Sequence, residues 1–240
     1  MAEAFVDFDR VSLAYDAASG FAVEDISVKI APHEFVAIVG PSGCGKSTFM
    51  KLSTGLKRPT KGSIAVDGRE VTGPLKITGM AFQAPTLLPW RSTLDNVLLP
   101  LEIVEPYRSD FRKKRAEYVE RARALLKTVG LAGNEAKFPW QLSGGMQQRA
   151  SICRALVHDP KLLMLDEPFE GLAPTIVEGL WKVINDLKKE ITMLLVEQNA
   201  DLALALGDRA YVINNGKIEY EGAAQALIDN HEMRVKLLGV

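Results

Sequence analysis

The strongest constraint on this chain is the segment Gly40-Pro41-Ser42-Gly43-Cys44-Gly45-Lys46-Ser47-Thr48, placed directly behind the apolar run Phe35-Val36-Ala37-Ile38-Val39. Such a run suits a parallel strand buried on both faces, and a helix is expected from Lys46 to about Leu56. The pattern G-x-x-x-x-G-K-[ST] between strand and helix is a phosphate cradle. Glycines at 40, 43 and 45 let backbone N–H groups turn inward without a Cβ in the way, and the helix N-terminus adds its positive end. Lys46 is expected to reach the β- and γ-phosphates of a nucleoside triphosphate, and Ser47 to give its hydroxyl to Mg²⁺. Ser42, Cys44 and Thr48 complete the cradle; alkylation of Cys44 is expected to block nucleotide entry.

Phosphate chemistry also needs acids on the far side. Leu162-Leu163-Met164-Leu165 reads as a buried strand that ends in Asp166-Glu167-Pro168. Asp166 suits the Mg²⁺ shell, through water, and Glu167 suits polarisation of an attacking water. Kinases, GTPases and helicases share these two motifs, so they do not name a function.

Around the motifs the chain alternates strands with helices, which implies a mainly parallel sheet. Strands are expected at Ala4 to Phe8, Val11 to Tyr15 and Val23 to Ile30, with a turn over residues 16–20. Further strands are expected at Gly62 to Val66 and Met193 to Val196, with a helix from Ile176 to Lys189. Asn214-Asn215-Gly216 signals a hairpin. Between about 85 and 156 the patterning is helical, notably Asp110 to Val129, where Tyr118, Ala122, Leu125 and Leu126 share a face. The basic cluster Arg112-Lys113-Lys114-Arg115 reads as a solvated face of that helix.

Twenty-nine basic and thirty acidic side chains give a net charge of -1, which offers no footprint for nucleic acid. Cys44 and Cys153 suit neither a disulfide framework nor a metal site, so a reducing cytoplasm is expected. The opening Met1-Ala2-Glu3-Ala4-Phe5 does not read as a signal peptide, and apolar runs fall short of the ~20 residues that cross a bilayer. A membrane role is expected to come through a partner.

Leu142-Ser143-Gly144-Gly145-Met146-Gln147-Gln148-Arg149 decides between the nucleotide enzymes. It resembles the LSGGQ signature of ATP-binding cassette (ABC) proteins, with Met146 where glutamine is frequent. A serine and two glycines at a helix N-terminus form a second anion site. The resemblance implies that Ser143, Gly144 and Gly145 serve ATP held by an opposite protomer. It also implies that Tyr15 stacks on adenine, and that Gln83 contacts Mg²⁺ or the lytic water. The implied fold is α/β: a P-loop NTPase (RecA-like) parallel-sheet core, an N-terminal antiparallel β subdomain and an α-helical insertion. A single ATPase domain over 1–240 would have its core at about 1–83 and 158–240, and its helical part at about 84–157.

Two positions depart from the family pattern. Gln198 stands where a switch histidine is usual, and glutamine cannot carry a proton or positive charge. Ala173, in Glu170-Gly171-Leu172-Ala173, stands where an aspartate is usual. A working but slow ATPase is expected. The chain up to about Phe169 resembles ATPases of nitrate, sulfonate and taurine importers, whereas GLAP at 171–174 and VEQNA at 196–200 resemble those of branched-chain amino acid importers. That change suggests a chimera joined near Asp166-Glu167-Pro168.

The resemblance implies a Mg-ATP-hydrolysing importer subunit, peripheral on the inner face of the membrane. Its partners would be a second ATPase subunit, transmembrane permease subunits and, indirectly, a solute-binding protein, with Leu88 and Trp90 as candidate permease contacts. The alternatives are a non-catalytic or weakly catalytic nucleotide-gated interaction module, an engineered chimera without a cognate transporter, and a cassette protein of translation or repair.

Overall fold

The computed structural model describes residues 4–16, 20–188 and 190–239. These described residues form two compact units, one from those up to 75 together with those from 190 on, the other from those between 76 and 188.

The first unit begins with β1 (Val6–Ala14), β2 (Phe21–Ile30), β3 (Phe35–Val39), α1 (Lys46–Ser53), β4 (Lys61–Val66) and β5 (Arg69–Glu70). The second contains β6 (Thr78–Ala81), α2 (Thr93–Leu98), α3 (Tyr107–Asp110), α4 (Arg115–Thr128), α5 (Gly144–Leu156), β7 (Leu162–Asp166) and α6 (Pro174–Leu187). The chain then completes the first unit with β8 (Thr192–Glu197), α7 (Ala200–Leu206), β9 (Arg209–Asn214), β10 (Lys217–Ala223), α8 (Ala224–Asp229) and α9 (His231–Leu238).

In the first unit β2-β1-β4-β5 make an antiparallel sheet, and β10-β9-β3-β8 follow one another in a second sheet. There β3 runs parallel to both β8 and β9 and is buried along its whole length, as its unbroken apolar run requires. The Phe8 ring of β1 stacks on Phe49 of α1 at 4.6 Å, both fully buried. The two strands expected at 4–8 and 11–15 are one strand, β1, whose register slips between Phe8 and Val11 where Arg10 takes a φ of 48°. A bulge of this kind reads in sequence as a break. Of the turn expected at 16–20, residues 17–19 lie outside the described residues.

The second unit pairs β6 with β7 in parallel and buries Val97, Leu98, Leu101, Tyr118, Ala122 and Leu126 in one apolar cluster. Strand β6 belongs with these helices because α5 lies close on it: a Cβ at Gly79 would stand 2.0 Å from the Ala155 carbonyl oxygen. The helix expected from 110 to 129 is α4, which starts only at Arg115; α3 ends at Asp110, and the basic cluster falls largely in the turn between the two instead of on a helix face. Phe111 and Tyr107 both pack against Tyr118, with ring centroids 6.0 and 5.9 Å away. In a continuous helix their Cα atoms would be about 10 and 16 Å from that of Tyr118 along the axis.

Candidate nucleotide site

The phosphate loop is built from below. Gly40 has a φ of 157°, and a Cβ on it would lie 2.1 Å from the Ile213 carbonyl oxygen of β9 and 2.8 Å from Cys44 Sγ. Gly45, at φ 114°, would meet the Ala22 carbonyl oxygen at 2.8 Å. The hairpin turn closes the floor: the Gly216 N–H donates to the Cys44 carbonyl at 2.9 Å, and the Glu24 N–H donates to the Gly216 carbonyl at 2.8 Å. Gly40 and Gly45 are thus required by packing alone, whatever approaches the loop. Only Gly43, at φ 77°, opens onto free space.

Lys46 is buried, and its ammonium donates to the Gly40 and Pro41 carbonyls at 2.8 and 3.0 Å, folded back onto its own loop. Ser42 and Ser47 are exposed, whereas Thr48 is buried beside Tyr15, the two hydroxyls 3.2 Å apart. Tyr15 is half exposed, with Lys57 Nζ 5.6 Å from its ring centroid. Cys44 is only 4% exposed and its sulfur points beneath the loop. Such burial limits the access of an alkylating reagent to that thiol. Gln198 stands exposed just past β8, where its N–H donates to Glu197 Oε2 at 3.2 Å, and Asn199 caps α7 by accepting from the Leu202 N–H.

The second unit carries the acids and the signature. Asp166 ends the fully buried β7, and Glu167 follows at a φ of 46°, a left-handed conformation costly for a side chain of its size. Gln83 Nε2 donates to Glu167 Oε2 at 3.2 Å and also to Glu170 Oε2. Ser143 is the N-cap of α5, its Oγ accepting from the Met146 N–H at 3.3 Å, and both Ser143 and Gly144 are exposed. Gly145 has a packing reason too, since a Cβ there would press on Ile176 Cγ2 at 2.9 Å. Ala173 is the N-cap of α6 with no side-chain cap, and Pro174 at the first turn takes over the helix start.

Sequence reasoning missed two groups. Glu170 is recognisable only as a carboxylate three residues after Glu167. Asn96, fully buried, donates to the Leu88, Arg91 and Ser92 carbonyls and accepts from the Leu88 N–H, so it fixes the loop carrying Trp90. That loop is further tied to α5: Arg154 donates to the Pro85 and Thr86 carbonyls, and Gln148 donates to the Phe82 carbonyl. Trp90 itself is 70% exposed, Leu88 is half-buried, and Leu98 and Leu101 are core.

Ser47, Asp166 and Gln83 offer hard oxygen donors, the kind Mg²⁺ takes. Among the described residues no group of three His, Cys, Asp or Glu is placed to hold a metal. No described helix is long and apolar enough to cross a membrane.

Residues 23–170 match the family described as ABC transporter. An uncharacterized ABC transporter ATP-binding protein of Methanocaldococcus jannaschii, MJ0412, is 40% identical over 80% of this chain and 70% of its own length. The aliphatic sulfonates import ATP-binding protein SsuB of Bacillus licheniformis is 38% identical over 80% of this chain and 72% of its own. Among solved structures, the dimeric post-hydrolysis state of the ATP-binding cassette MJ0796 bound to ADP and Pi superposes with a TM-score of 0.78, at 28% identity, over 91% of this chain and 98% of that one. Alignments covering 80% of 240 residues must run through 165–170, so single natural proteins match on both sides of the suggested junction and the chimera is not borne out. The chain belongs to the ABC transporter family, as one of its P-loop ATPases.

Proposed function

We propose that the chain is the Mg-ATP-hydrolysing subunit of a membrane importer and works in a pair with a second ATPase subunit. The observation that carries this is Glu167, set at the end of buried β7 and held by the Gln83 amide. Import-protein relatives support uptake as the direction, and Glu167 favours catalysis over a non-hydrolysing module.

In this reading Lys46 exchanges its bonds to the Gly40 and Pro41 carbonyls for β- and γ-phosphate oxygens. Tyr15 stacks on the adenine. Ser47, Gln83 and, through water, Asp166 would hold Mg²⁺, which when bound would neutralise charge on the phosphates. Glu167 takes the proton of the attacking water. Ser143 and Gly145 of one protomer grip the γ-phosphate seated on Lys46 of the other, so ATP closes the pair and hydrolysis releases it. Because α5 holds the loop behind Gln83, displacement at Gln83 moves with the helix that Ser143 caps. Trp90 gives the permease an apolar anchor at the inner face of the membrane.

Phosphate release measured against protein concentration, with Glu167→Gln as control, tests the proposal. Specific activity should rise with concentration and vanish in the control. Release that ignores both changes would remove Glu167 and pairing from the mechanism.

A further inference from the structure

Gln83, Glu167 and Glu170 meet within the second unit. The Glu170 N–H donates to the Glu167 carbonyl at 3.2 Å, closing a turn that brings the two carboxylates to one amide. An amide nitrogen carries two hydrogens, and an ionised carboxylate only accepts. Both Gln83 hydrogens are therefore committed, and the direction of the amide follows from the chemistry. Turned over, it would set its oxygen against two negative groups.

We propose that Glu170 is a positioning residue of the ATP site. With Glu167 it fixes the Gln83 amide nitrogen, which leaves Gln83 Oε1 as the atom available to the nucleotide's metal ion. The amide hydrogens in turn offset the repulsion between the two acids and hold Glu167 Oε2 in place. An alanine at 170 would leave the amide held by Glu167 alone, through one bond instead of two, whereas a glutamine could accept or donate and so would add no preference for either direction. This rests on the nucleotide-site reading above. Glu170 is exposed, so replacing it removes no packing.

The test is metal binding. Mn²⁺ is titrated, through its electron paramagnetic resonance signal, into protein loaded with a non-hydrolysable ATP analogue. Glu170→Ala and Glu170→Gln should each weaken Mn²⁺ binding about tenfold, the scale of one lost hydrogen bond to a charged group. The variant carrying both Gln83→Ala and Glu170→Ala should bind as Gln83→Ala alone does, and metal-free binding of the analogue should be the same in all. Wild-type affinity in the Glu170 variants would overturn the proposal. So would an effect of Glu170→Ala that persists beside Gln83→Ala, because it would then act by charge alone. Wild-type protein that takes up neither analogue nor Mn²⁺ would overturn the nucleotide-site reading, and the role of Glu170 with it.

Discussion

Ser143 caps α5, and in the proposed pair it also faces a γ-phosphate; two substitutions separate the cap from the proposed contact. Its Oγ accepts from the Met146 N–H at 3.3 Å, a long bond, so Ser143→Ala should cost about 0.5–1 kcal/mol of stability, the low end for an N-cap. At about 2–4 °C per kcal/mol for a chain of this size, the melting point should fall by about 1–4 °C. Ser143→Asp keeps a capping oxygen and places a negative charge at the helix N-terminus, so its melting point should equal or exceed that of the wild type. The same aspartate would oppose a γ-phosphate. Two unit charges ~4 Å apart at an effective dielectric of ~20 repel by about 4 kcal/mol, a loss on the order of a thousandfold in turnover. Thermal unfolding and phosphate release at saturating Mg-ATP read the two effects on the same samples. A Ser143→Asp protein that melts like wild type and still hydrolyses within about tenfold of it would refute the phosphate role of the signature, given the size of that repulsion.

Two further outcomes follow from burial and from the missing histidine. Burial pushes the Cys153 thiol up from 9.0 to about 12, so the folded state holds its proton after an unfolded chain has released it. Its contribution to stability is complete below about 9 and is lost as pH rises toward about 12; urea unfolding at pH values across that window should show a steeper decline for wild type than for Cys153→Ala. Gln198→His introduces a group that titrates near ~6.5, so turnover should rise and gain a pH dependence around that value; an unchanged pH–rate profile would show that position 198 does not limit the reaction.

Much of the site was legible because its chemistry is local. The cradle from Gly40 to Thr48 needs a strand before it and a helix after it, and β3 and α1 lie there. Asn214-Asn215-Gly216 gave its hairpin because Asn215 and Gly216 tolerate positive φ, 45° and 76° here. What was not legible depends on distant backbone. That Gly40 and Gly45 also answer to Ile213 and Ala22 cannot be read from a motif, nor can the burial of Cys44 beneath its loop. The break between α3 and α4 follows from Tyr107 and Phe111 closing on Tyr118, a tertiary choice that the helical period hides. Glu170 went unrecognised for a related reason. Its partner Gln83 is 87 residues away in the chain.

If each ATP is held by two chains, two inactive variants should complement one another. Lys46→Ala removes the phosphate contact of its own cradle, and Ser143→Asp spoils the signature it offers to a partner. In a mixed pair one composite site has lost both groups, while the other keeps Lys46 from one chain and Ser143 from its partner. Phosphate release should therefore be near zero for each variant alone and reappear on mixing. A mixture as inactive as its components would contradict the account and place the whole reaction within a single chain.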